Sequence, residues 1–234
     1  MQKPLAVVTT GPASAPIDDV RRITNSASGE IGALLAGALT ARSFEVFLFR
    51  GEGATHTNVP PGAFVQEFTT NHDLVRQLEE LSETRGREIR AVFHAAALSD
   101  YVVTSLRAAD QPLARSAKIP GDLPELHLVL EPAAKLLPRL RGWFPRAWIV
   151  GWKYEMEGTL ESAVEAARAQ LAQRRTDATI LNGHAYGPGF GVLEAEKSPL
   201  HFATKRETSD FLASRATESA KALDCSLHAD RHCE

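Results

Sequence analysis

The sequence predicts an α/β fold with a mostly parallel sheet, and three observations carry that prediction. Short apolar, β-branched runs alternate with amphipathic stretches along most of the chain. Several of those runs are apolar on both faces, as strands covered by helices on either side must be. The polar, glycine-containing segments fall just after the strands, where open α/β sheets bind ligands. In chain order the strand runs are "LAVVTT" (5–10), "EVFLFR" (45–50), "VQEFTT" (65–70), "AVFHAAA" (91–97), a segment at 126–130, "WIVGW" (148–152) and "ATILN" (178–182). Helical spacing appears at 28–42 (Ile31, Leu34, Leu35, Ala38, Leu39), at 72–83 (Leu74, Val75, Leu78, Leu81) and in the alanine-rich 160–174. The stretch 104–145 breaks the alternation. It holds "AKIPGDLPELHLVLEP" and reads as a flap or insertion beside the sheet, with the flap proper at 104–130. One domain over 1–222 and a flexible tail over 223–234 complete the expected organisation.

Composition sets bounds. The 234 residues are 44% hydrophobic and 24% charged, with a formal net charge of −3. No long basic run is present, so nucleic acid is excluded as a partner and small molecules are expected. The apolar run in "MQKPLAVVTTGP" is too short for a signal peptide, and no segment approaches the ~20 apolar residues of a membrane span. The expected location is cytoplasmic. Cys225 and Cys233 both lie in the last ten residues. They cannot staple a core, so the fold needs no oxidising compartment.

The loops after the strands hold the chemistry. Gly11 ends the first strand, and Ser28 and Gly29 open the first long helix. Two such N–H clusters facing one crevice would bind an anion. Equally, Gly11 would serve a turn and Ser26 or Ser28 a helix cap. The spacing does not match G-x-G-x-x-G, which argues against a nicotinamide cofactor, and no G-x-x-x-x-G-K-[ST] occurs. Arg21 and Asn25 lie in a polar loop before the helix. Asp100 follows three small residues at a strand end, where a carboxylate would hold a ribose, a base or Mg²⁺. His94, in an apolar run, reads as a core histidine. Tyr101 lacks the lysine four residues on that a short-chain dehydrogenase needs, because Ser105 stands there. His228, His232 and Cys233 form no assigned metal site.

The ordered set T-x-G-P, I-D-x-V-R-x-I-x-N-x-x-S-G-x-x-G, A-A-x-x-D-Y, a K-I segment, V-G-[aromatic]-x-x-E and an asparagine at a late strand end resembles phosphopantothenoylcysteine synthetase, in its free-standing form without a decarboxylase half. The resemblance runs from Leu5 to about Thr204. It implies a Rossmann-like three-layer sandwich and a homodimer that acts as phosphopantothenate–cysteine ligase in coenzyme A biosynthesis. The substrates would be 4′-phosphopantothenate, cysteine and ATP or CTP, with Mg²⁺. Carried over by position, Asn25, Arg21 and Lys118 are the catalytic set. Gly11, Ser28, Gly29, Ala96, Ala97, Asp100, Trp152 and Asn182 contact the nucleotide. Asn25 would donate a hydrogen bond to the acyl-nucleotide anhydride, and Lys118 would sit on a flexible flap over the phosphates. Glu30 departs from the pattern, since family members carry Lys or Arg there. It is expected to turn to solvent or to bound Mg²⁺. A catalytically retired nucleotide-binding protein is the rival reading, favoured by Glu30 and the single lysine of the K-I segment.

Overall fold

The structure, a computed structural model, describes residues 3–109, 111–114, 118–174, 176–195 and 197–229. The elements run β1 (Leu5–Thr10), β2 (Ser14–Pro16), β3 (Arg22–Thr24), α1 (Glu30–Ala41), β4 (Glu45–Gly51), β5 (Ala63–Phe68), α2 (Asn71–Arg85), β6 (Ile89–His94), β7 (Tyr101–Ala108), β8 (Gln111–Leu113), β9 (His127–Pro132), a 3-10 turn (Leu137–Arg139), α3 (Leu140–Trp143), β10 (Trp148–Tyr154), α4 (Leu160–Arg174), β11 (Ala178–Asn182), β12 (Phe190–Glu194), β13 (Leu200–Phe202) and α5 (Lys205–Ala229).

Eight strands form one sheet in the order β13-β12-β11-β10-β6-β1-β4-β5. The pairs from β11 through β5 are parallel, and β12 and β13 add antiparallel strands at one edge. The chain moves outward from β1 through β4 and β5, then returns to β6 on the other side of β1. Strand order therefore reverses between β1 and β6, and a crevice opens beyond their carboxyl ends. Strand alternation sends Val8 and Phe93 to a core shared with Leu35, Leu39, Leu212 and Ala216 of α1 and α5. It sends Val7 and Val92 to the opposite core, against Leu74 and Leu78 of α2 and Leu140 of α3. Helices cover both faces, which is the three-layer α/β arrangement expected.

Most element boundaries differ little from expectation. The run 91–97 ends as a strand at His94. Ala95 and Ala97 leave the ladder but stay on β1, their N–H groups donating to Thr9 O at 3.0 Å and Gly11 O at 2.9 Å. The stretch 104–145 proves to be two things. β7, β8 and β9 form a separate antiparallel sheet in the order β8-β7-β9. Leu136, Leu140 and Phe144 belong to the main core, so the last part of the stretch is not flap. Helix α5 was not expected. It packs on α1 and carries the backbone through 223–229, where a flexible tail was anticipated. His232 and Cys233 lie outside the described residues. No helix among the described residues is long and apolar enough to cross a membrane.

Candidate functional site

At the crevice, Gly11 and Gly29 stand back to back. Both have left-handed backbones, with φ of 77° and 81°. A Cβ on Gly11 would meet Ala54 Cβ at 2.9 Å, and one on Gly29 would meet it at 3.0 Å. Only glycine satisfies both demands. Thr10 Oγ1 donates to Gly29 O at 3.0 Å and fixes the start of α1 to the end of β1. Gly29 itself occupies the cap position, and no side chain caps the helix. Ser28 is therefore not the cap; its Oγ reaches only the Glu30 N–H, at 3.4 Å. Beyond that contact, the first turn of α1 has N–H groups that a ligand could accept from.

Asn25 follows β3 on the exposed side of this crevice. Its Nδ2 donates to Leu98 O at 2.8 Å and to Ala97 O at 3.3 Å. Both amide protons are thus committed to the loop after β6. Flipping the amide would set its oxygen against two carbonyl oxygens, so the orientation is determined by the network. The atom left for a ligand is Oδ1, an acceptor. The donor role expected of Asn25 is not available in this arrangement.

Arg21 is likewise not a free cation. Its Nη1 pairs with Asp18 Oδ2 at 3.2 Å, and its Nη2 donates to Ile119 O at 3.2 Å. Asp18 also accepts from the N–H groups of Val20 (2.9 Å), Arg21 (2.6 Å) and Ile119 (3.0 Å). Burial would raise the Asp18 carboxyl. The N–H groups of Ile119, Arg21 and Val20 and the Arg21 guanidinium outweigh it and hold the group below its ordinary range. Ile119 is buried under the flap sheet with Val103 and Leu106. Burying such a side chain is worth ~1.5–3 kcal/mol, so it anchors the segment. Lys118 is exposed and lies one residue before that anchor, whose carbonyl Arg21 holds.

Ala96, Asp100 and Trp152 meet in a second part of the site, a cleft of about 320 Å³ beyond β6 and β10. Lys135, Lys153 and Gln170 also line it. Asp100 is exposed and ion-paired with Lys135. Trp152 packs against the α1–α5 core, and its indole Nε1–H is buried without a partner among the described residues. Ala97 lies toward Asn25, joined to Pro12 by a β-bridge. Asn182 stands one strand further out, in register with Tyr154, and its carbonyl accepts from the Glu155 N–H at 2.9 Å. It does not line the cleft. His94 does, though buried as a core histidine should be, and burial pushes its pKa down to about 4.

Glu30 is part-exposed and already has a cationic partner. It is ion-paired with Lys205, the first residue of α5, and the Lys205 hydrogen bond and charge lower its pKa. The cation expected at position 30 is supplied from another helix. Asp18, Lys135, Lys153 and Lys205 were missed as functional residues. Asp18 had a local signal, an Asx turn in "IDDVR"; the lysines are defined only by tertiary contact.

A model of the DNA/pantothenate metabolism flavoprotein C-terminal domain matches residues 1–226. The chain belongs to that family. The coenzyme A biosynthesis bifunctional protein CoaBC of Thermococcus kodakarensis is 34% identical over 179 residues, which are 75% of this chain and 40% of that protein. The chain thus spans well under half the length of this relative. The crystal structure of the DNA/pantothenate metabolism flavoprotein from Streptococcus pneumoniae shares the fold, with a TM-score of 0.78 at 24% identity over 93% of this chain and 99% of that one. The C-terminal domain of CoaBC gives a TM-score of 0.72 at 18% identity, over 96% and 98% of the two chains. A histidine-to-alanine mutant of Cab2 in complex with phosphopantothenate-cysteine gives 0.72 at 17%, over 96% and 88%. The family and fold expected from the ordered motifs are borne out.

Proposed function

We propose that the chain is a phosphopantothenate–cysteine ligase that activates 4′-phosphopantothenate with ATP or CTP and joins it to cysteine. The observation that carries the reading is the convergence of three motif residues on one crevice. Gly11 and Gly29 pack together there at the end of β1 and the start of α1, and Asn25 is held beside them by the carbonyls of 97 and 98. Membership of a family that includes a coenzyme A biosynthesis protein supports it.

A carboxylate is a poor electrophile. Attack of its oxygen on the α-phosphorus of the nucleoside triphosphate forms the acyl-phosphate bond and releases pyrophosphate. The crevice would assist by positioning and by neutralising charge. Lys118 is free to meet phosphate oxygens, while Arg21 adds its field from a fixed place. The N–H groups at the start of α1 face the same crevice. In the second step the cysteine amine attacks the acyl carbon, and the nucleoside monophosphate leaves. Oδ1 of Asn25 would accept a hydrogen bond from that amine and orient its lone pair. No protein nucleophile is required.

Among the described residues no group of three or more His, Cys, Asp or Glu side chains could hold a metal. Mg²⁺ needs few protein ligands when phosphates supply the others. Asp100 at the cleft mouth fits that role, and the ion would neutralise triphosphate charge. The Lys205–Glu30 pair supports an active enzyme over a retired one, because it cancels the carboxylate that would oppose a phosphate. A cytoplasmic homodimer is the setting this reading adopts. The deciding experiment is pyrophosphate release, run with ATP and with CTP. Release that requires both 4′-phosphopantothenate and cysteine is expected; nucleotide binding without release under any combination would favour the retired protein.

A further inference from the structure

Asn71, the first residue of α2, has no part in the ligase reading. It stands beside the loop that joins the two parts of the site. That loop is tied to the end of β1 at Ala97, whose N–H donates to Gly11 O at 2.9 Å. It is tied to the flap side at Asp100, whose carbonyl accepts from the Ala133 N–H at 2.8 Å. Between those ties lie Leu98 and Ser99, which belong to no strand. Left without partners, they would leave the direction of Asp100 open.

Side chains supply the missing ties. Asn71 Oδ1 accepts from the Ser99 N–H at 3.0 Å, and Asn71 Nδ2 donates to Ser99 O at 2.7 Å. One amide thus takes both main-chain groups of one residue, as a neighbouring antiparallel strand would. The pair fixes the orientation of that amide, since a flip would set oxygen against oxygen. Two successive peptide groups are held in this way. In the peptide between Leu98 and Ser99, the carbonyl accepts from Asn25 Nδ2 at 2.8 Å while the N–H donates to Asn71. The peptide is trans, so those groups point in opposite directions and the two asparagines grip it from opposite sides. In the peptide between Ser99 and Asp100, Asn71 holds the carbonyl. Ala133 holds the carbonyl of Asp100 in turn, so Asp100 is fixed through the peptides on both its sides. Asn71 has a firm base. Thr70 caps α2 by accepting from the Asp73 N–H at 3.1 Å, and Asp73 Oδ2 accepts from the Thr69 N–H at 3.0 Å.

We infer that Asn71 is a positioning residue for both parts of the site: through the peptide between Leu98 and Ser99 it sets the Asn25 amide, and through the peptide between Ser99 and Asp100 it sets the Asp100 carboxylate at the cleft mouth. Accepting from the Ser99 N–H also polarises the Leu98 carbonyl and strengthens its hold on Asn25. The inference rests on the ligase reading for its kinetic consequences and on the hydrogen bonds alone for its geometry.

Two variants of the full chain separate the links. The carboxylate of Asn71→Asp still accepts from the Ser99 N–H but opposes the Ser99 carbonyl, so the Asn25 end should hold and the Asp100 end should fail. Asn71→Ala loses both. Steady-state pyrophosphate release with 4′-phosphopantothenate, cysteine and ATP or CTP should show KM for the nucleotide raised about tenfold in both variants, and kcat lowered about tenfold or more in Asn71→Ala alone. A role confined to stability would not divide KM from kcat between the two variants. ¹H–¹⁵N correlation spectra give a readout that needs no turnover. The Asn25 side-chain amide signals should move in Asn71→Ala and stay in Asn71→Asp, with the signals of β1 and β6 unchanged in both. Asn71→Ser, suited to the first turn of a helix, replaces Asn71→Ala if that variant does not fold. Asn25 signals that stay in place in Asn71→Ala, or kinetic constants within about twofold of wild type in both variants, overturn the inference and leave the ligase reading standing. No pyrophosphate release by the wild type overturns the ligase reading, and the Asn25 signals then decide the positioning role by themselves.

Discussion

His94 makes a stability prediction that can be worked through. Its pKa falls from an ordinary 6.5 to about 4 because burial disfavours the charged ring. The groups around it, Thr9 from β1, Gly151 from β10 and Gln170 from α4, are uncharged. The charged groups at the cleft are paired, Lys135 with Asp100 and Lys153 with Glu155, so burial is left as the cause of the shift. The unfolded chain thus takes up the proton first as pH falls. Stability is complete above the unfolded pKa, declines below it, and the loss is complete once pH passes the folded value of about 4. The full span corresponds to about 3 kcal/mol, and the part between pH 7 and pH 5 to about 2 kcal/mol. Other groups titrate in that window, so the measurement is a difference. Urea unfolding of wild type and His94→Gln at both pH values isolates the ring, since a constant packing cost cancels. The wild type should lose about 2 kcal/mol more than the variant between the two. Equal losses would mean that the ring is hydrated and titrates normally, and the buried assignment would fall.

Two further outcomes are expected. Asn25→Asp places a carboxylate against the carbonyls of Ala97 and Leu98. Amide formation should fall by on the order of 100-fold or more while nucleotide affinity holds, measured by product formation and titration; turnover within a few-fold of wild type would remove Asn25 from the mechanism. Lys205→Ala leaves Glu30 uncompensated at the start of α1. The melting temperature should hardly change, because the pair is partly exposed, but triphosphate affinity should drop several-fold and return in the Lys205→Ala, Glu30→Gln double variant. Unchanged affinity in Lys205→Ala would show that Glu30 does not face the phosphates.

Where one physical rule dominates, the sequence was legible. β11 is a short, buried run with apolar residues on both faces, and α4 is alanine-rich, and both stand at the expected residues. The crevice was legible too, because glycines with left-handed backbones leave a mark in composition. Helix α5 went unread: its contact residues are largely alanines, Ala213, Ala216 and Ala220, which carry weak periodicity. β2, β3 and β8 are three residues each, shorter than any pattern can declare. Side-chain direction was the least accessible quantity. The residue type of Asn25 suggested a donor, and the carbonyls that claim its protons lie more than seventy positions away.

The Asp18 clasp bears on how the flap operates. Asp18 takes the Ile119 N–H, and Arg21 holds the Ile119 carbonyl, so that one residue is gripped through the peptide groups on both its sides. The Cα of Lys118 lies one virtual bond, about 3.8 Å, from that fixed point. A lid usually has to be captured from a wide ensemble each time substrate arrives, and each residue so ordered costs about 1–2 kcal/mol. Here the backbone beside the lysine is already tethered in the unliganded chain. What remains to be ordered at the moment of encounter is a single lysine side chain, an entropy cost of about 1.5–2 kcal/mol. The segment works less as a lid that closes than as a mooring from which one charged arm swings.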